Sequence, residues 1–138
     1  MSSATLYSLV ETLITDNWAH CTVRTADSEF DVPATRAAFA ELSFPFVDEE
    51  QISTGDSGNN LFRNEGGFSF CVFVPVEQDI ATWLGRLDTL RSVLRGHSGS
   101  SGHFRIYEAP PPAIGQDSEQ PGYNKLMIAV PYEFDFYG

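Results

Sequence analysis

Cysteine is nearly missing from this chain: Cys21 and Cys71 are the only two in 138 residues. Two thiols do not make the disulfide framework of a small secreted domain, so a hydrophobic core has to hold the fold. Cys71 lies inside an apolar run and reads as a small buried hydrophobe. Basic residues are also scarce, 8 against 19 acidic, for a net charge of −11. Duplex DNA is held by clustered Lys and Arg that neutralise phosphates, and this chain has no such cluster. An acidic surface instead repels polyanions and favours solubility. The acids are spread from Glu11 to Asp135, and only Asp48, Glu49 and Glu50 form a run, read as a solvated loop. No stretch approaches the roughly 18 consecutive apolar residues of a membrane helix, so no membrane partner is expected. Residues Met1 to Thr5 have neither the basic region nor the apolar run of a secretory leader, and a reducing cytoplasm is the expected site of synthesis.

Motifs that carry chemistry are missing too. Gly96 to Gly102 is rich in glycine and serine, but it follows a helical pattern and contains no Lys. A phosphate cradle needs its glycines between a strand and a helix N-terminus, so this stretch reads as a linker. His20, His97 and His103 have no second Cys or His at zinc-site spacing. Ser98 neighbours His97 but lies after a helix, where there is no strained elbow and no oxyanion donor. Catalytic, cofactor-binding and metal-ligating residues are therefore all assigned as none, and no enzyme activity is expected. Trp83 and the Phe-rich segments lack the basic groove that accompanies base stacking, and read as core. Arg86, Arg91 and Arg95 fall on one helix, as a solvated face or as a small patch for an acidic partner.

What the chain does have is apolar patterning. Its residues are 42% hydrophobic and include 11 Phe, enough for a packed core in one domain spanning 1–138. Residues 4–18 repeat Leu6, Leu9, Val10, Leu13, Ile14 and Trp18 at helical spacing. Residues 79–95 do the same with Ile80, Trp83, Leu84, Leu87, Leu90 and Leu94. Asp79 is placed to cap that helix, Arg91 and Arg95 suit its last turn, and Gly96 suits its C′ position.

Between the helices the period changes to two. Ala40, Leu42, Phe44 and Phe46 share one face of a strand over 38–47. After the turn-rich loop Ser53 to Asn60, a second strand runs to Val76 with Phe68, Phe70, Val72 and Val74 on one side. Gly66 and Gly67 mark a bulge or bend in it. Residues 19–37 form a connection with a short extended piece at Thr22 to Arg24. Two final strands are expected, over 103–109 and 123–136. In the last, Leu126, Ile128, Val130, Tyr132, Phe134 and Phe136 would point one way and Lys125, Met127, Ala129, Pro131, Glu133 and Asp135 the other. Pro131 cannot donate to a ladder, which predicts an edge strand or a bulge there. The order helix, two strands, helix, two strands predicts an α+β protein: a mainly antiparallel sheet of about four strands with two helices packed on one face. A long apolar edge needs a cover, which favours a partner subunit.

Four segments in this order resemble the phage tail terminator, or tail completion, family of siphophage tails and gene transfer agents. They are the N-terminal helix 4–18; the strand Ala38 to Phe46 with the turn Glu50 to Gly55; the strand Phe62 to Pro75 running into helix 79–95; and the closing strand Tyr123 to Asp135 with its internal proline. The resemblance implies a structural virion protein without enzyme activity or cofactor. It implies a homo-hexameric ring that caps the tail tube, ends its polymerisation and joins tail to head. The implied partners are further copies of the chain, the tail tube protein and the head–tail connector protein. DNA would pass through the ring without specific binding. The implied location is the head-proximal end of the tail, after synthesis in the host cytoplasm. The loop 53–67 suits docking, and Asn59, Asn60, Leu61, Phe62 and Arg63 are the candidate contacts with a neighbouring subunit or the tube. Phe62 and Arg63 stand out because aromatic residues and Arg are enriched at interface hot spots, although Phe62 also fits as the start of a buried strand. Another neck or minor tail protein, a small monomeric binding module that uses a sheet edge, and a small enzyme are the alternatives.

Overall fold

A computed structural model describes residues 2–24, 37–55, 58–99, 103–116 and 122–137. Helix α1 spans Ser2–Asn17 and helix α2 spans Ile80–Leu94. Between and after them come strands β1 (Thr22–Arg24), β2 (Phe39–Gln51), β3 (Leu61–Pro75), β4 (Ser98–Gly99), β5 (Phe104–Arg105), β6 (Ala113–Gln116) and β7 (Tyr123–Tyr137). The class is α+β, as the pattern predicts. The strand count is not: the described residues form seven strands rather than about four.

Three long strands, β2, β3 and β7, make the body of the sheet in antiparallel pairing. The full order is β1-β2-β3-β7-β5-β4, with β6 also paired to β7. β1 runs parallel to β2, so the sheet is mixed. Both helices pack on the even-numbered face. Val10 and Ile14 of α1 and Leu87, Leu90 and Leu94 of α2 join Phe68, Phe70, Val72, Leu126, Ile128 and Val130 in one buried cluster. Leu13 and Leu84 lie at its margin, half-buried. The cap of α2 forms as its residues dictate. Asp79 accepts from the Ala81 amide at 3.2 Å and from the Thr82 hydroxyl at 3.0 Å. Gly96 takes φ +74°, a conformation costly for residues with a Cβ.

The closing strand corrects one expectation. β7 is not at an edge: β3 pairs along its whole length on one side. On the other side β5 takes Glu133 and Phe134, and β6 takes Asn124 to Met127. Pro131 sits in the gap between those two short ladders, where its missing N–H breaks no pairing on that side. The bulge is not in β3 either. It lies in β2, where Phe44 and Pro45, between the paired Ser43 and Phe46, stand opposite Phe68 alone. Gly67 is needed for a different reason: a Cβ there would come within 3.3 Å of the Val130 carbonyl oxygen.

The bulge changes the parity of β2. The alternation expected through Phe46 stops at Phe44, and Phe46 pairs with Gly67. The acidic run is strand rather than loop, with Asp48 opposite Glu65 and Glu50 opposite Arg63. The linker expected at 97–102 includes β4, and the strand expected over 103–109 shrinks to Phe104 and Arg105.

Candidate interaction surface

The five candidate contacts sit at the end of the long β2–β3 hairpin. Asn59 is exposed in the turn and Asn60 is half-buried behind it. Ser53 ties the turn, its hydroxyl accepting from the Leu61 amide at 2.7 Å. Leu61, Phe62 and Arg63 are the first residues of β3, all half-buried, so the expected docking loop is shorter than 53–67 and ends at Asn60.

The structure separates these residues by face. Phe62 points with the helix-side residues and stacks on Phe136, ring centroids 5.5 Å apart. Arg63 lies on the other face, in a network that closes the end of β7. Its Nε and Nη2 donate to the two carboxylate oxygens of Asp135 at 2.9 and 3.2 Å. Arg105 of β5 donates from Nη2 to Asp135 at 2.9 Å and to Glu133 at 2.8 Å. Asp135 is thus held between two guanidinium groups and is 8% exposed. The bond from Arg63 is the main reason its carboxyl is held below the usual carboxylate range, and Arg105 adds to the effect. Both guanidinium groups are pushed up in return, Arg63 chiefly by Asp135 and Arg105 chiefly by Glu133. A carboxylate gripped by three charge-assisted bonds is a fastener between β3, β7 and β5. Sequence reading placed Asp135 on the polar face but missed the network, because its members come from three strands whose order is set only by the fold.

Next to the network the face turns acidic. Asp48, Glu65 and Glu133 stand in one cross-strand row. Like charges placed opposite one another destabilise a sheet by a few tenths to about 1 kcal/mol. An open hollow of about 300 Å³ lies beside Pro131, walled by Glu65, Tyr107, Glu108 and Glu133. On the helix side, the Asn64 Oδ1 and the Tyr132 hydroxyl are buried without a hydrogen-bond partner among the described residues. Burial pushes the Tyr132 hydroxyl up.

The remaining residues considered for chemistry lie apart. His20 is exposed and meets Trp18 edge-on, with ring centroids 5.0 Å apart. His97 packs edge-on against Phe104, while the His103 carbonyl accepts from the Asp135 amide. Ser98 is exposed in β4. The three arginines of α2 do not form one free patch. Arg86 lies over the Trp83 ring, Arg91 binds Asp88 and the Ala109 carbonyl, and Arg95 is exposed. Among the described residues no group of three or more His, Cys, Asp or Glu is placed to hold a metal ion. None of the described helices is long and apolar enough to cross a membrane.

No protein-family model matches the chain, and no curated protein is similar to it in sequence. The chain does resemble solved structures. One, from a protein whose name states no function, has a TM-score of 0.63 and 18% identity over 100% of this chain and 99% of its own. At that identity the likeness is one of fold, end to end.

Proposed function

We propose that this chain is a tail terminator: a virion protein that forms a ring on the head-proximal end of a tail tube, stops its growth and joins it to the head. The observation that carries the reading is the open edge of β2. β1 covers β2 only from Phe39 to Glu41. From Leu42 to Gln51 no described residue pairs with its outer side. Among the described residues this outer side is unpaired over ten residues, about 33 Å, and beyond the bulge at Phe44 and Pro45 the stretch Phe46 to Gln51 offers main-chain donors and acceptors to another chain. A structural subunit that works by assembly has a use for such an edge. The order of the four sequence segments supports the specific choice, with six subunits as the number the resemblance implies. An acidic ring also lets DNA pass without sticking. Deleting the chain from the particle that encodes it is expected to give tails of abnormal length that fail to join heads. Normal tails, or a protein absent from the head–tail junction, would remove the proposal. A neck protein of another kind is distinguished by tails of normal length that are not joined to heads.

A further inference from the structure

Among the described residues the sheet also has an open edge at β6. β6 pairs with β7 on one side only, and no described residue pairs with its outer side. Ile114 at its centre is 58% exposed, in a chain that otherwise buries most of its large apolar side chains. The two open edges differ in charge. β2 carries Asp48, Glu49 and Glu50, while the described positions of β6 from Ala113 to Gln116 carry no charge. Resting on the ring reading, we infer that subunits join head to tail by sheet extension, the uncharged β6 edge of one copy pairing with the β2 edge of the next.

Three arguments favour this arrangement over its rivals. Two β2 edges side by side would set six carboxylates along one seam, and like charges across a ladder are unfavourable. Two β6 edges would make a symmetric contact that closes the assembly as a dimer, leaving both β2 edges without a partner. Pairing β6 with β2 uses one edge at each side of the sheet in one repeated contact. A repeated heterologous contact closes into a ring when its rotation permits. The exposed Ile114 then gains a cover against the edge of the neighbouring sheet.

The fold allows a clean test. Within one chain β2 and β6 are separated by β3 and β7, so three strand spacings, about 14 Å, lie between them. A disulfide needs Cα atoms within about 7 Å, so any bridge between these strands joins two subunits. With Cys21→Ser and Cys71→Ala as the background, Ile114→Cys is combined in turn with Ser43→Cys, Asp48→Cys and Glu50→Cys, and each single variant serves as a control. At least one pair is expected to give cross-linked multimers on mild oxidation, while the single variants stay uncross-linked. I114D is expected to lose the ring species in sedimentation and I114K to keep it, both with the wild-type circular dichroism spectrum. Wild-type rings with no cross-link from any pair would overturn the β6–β2 contact and leave the ring reading standing. Cross-links from a single variant would assign a symmetric contact instead and overturn it as well. A wild-type chain that stays monomeric, alone and with tail tubes, would overturn both.

Discussion

Asp135 shows at residue scale how the end of the sheet is fixed. Two arginines from two strands grip one nearly buried carboxylate, at 2.9 and 3.2 Å from Arg63 and 2.9 Å from Arg105. Hydrogen bonds to charged groups are worth about 1.5–3 kcal/mol each, so Asp135→Ala is expected to cost on that order in denaturant unfolding. The pH dependence follows from the lowered carboxyl. A group whose folded value lies below its ordinary one, about 3.9 for Asp, stabilises the fold fully above that value. The contribution fades as pH falls through the folded value, so the gap between wild type and Asp135→Ala should be constant near neutrality and narrow below about pH 4. A gap that is already absent at pH 7 would mean that the clamp contributes nothing. Phe62 and Arg63 are placed well for contact but are also used internally, by Phe136 and Asp135. Phe62→Ser with Arg63→Glu is therefore expected to lower stability while retaining the circular dichroism spectrum, and to give tails of abnormal length or tails not joined to heads. Normal virions would remove both residues from the interface. That dual use was only half legible in the sequence. The sequence offered Phe62 as a contact or as the start of a buried strand and Arg63 as a contact, but their partners Phe136 and Asp135 lie more than 70 positions along the chain.

Among the elements, the long periodic ones were legible. Both helices fall within two residues of the expected spans, because each repeats an apolar stripe over four turns and α2 carries its own cap. Leu87 is fully buried at the middle of that stripe. Leu87→Ala is expected to cost roughly 2–5 kcal/mol, since a buried leucine loses its transfer energy and leaves a cavity. A loss under about 0.5 kcal/mol would place Leu87 outside the core. Strands β4, β5 and β6 are two, two and four residues long, too short to show a period, and were missed or overextended. Pro131 misled for a physical reason. Proline excludes a ladder bond only on the side its nitrogen faces, and β7 is paired there in two pieces that leave a gap. Pro45 had the opposite effect. It lies in the bulge that ends the alternation of β2, and that change of parity puts Asp48 and Glu50 onto the face of Glu65 and Arg63, with Glu49 on the other.

At the scale of the whole molecule, two helices cover one face of the sheet, and among the described residues the outer sides of β6 and of β2 beyond Glu41 are unpaired. The class and the order of the long elements could be read from the sequence. The open edges could not, because an edge exists only once the strand order is known. The edge expected at the closing strand lies instead two strands away, on β2. The central claim is that the chain works as a ring on a tail tube. Electron microscopy of the purified protein, alone and mixed with its tail tubes, tests this most directly. The expected result is a ring with an open channel, six subunits of 15.3 kDa, seated at one end of the tube. Single-chain particles in both samples, with bare tube ends, would contradict it.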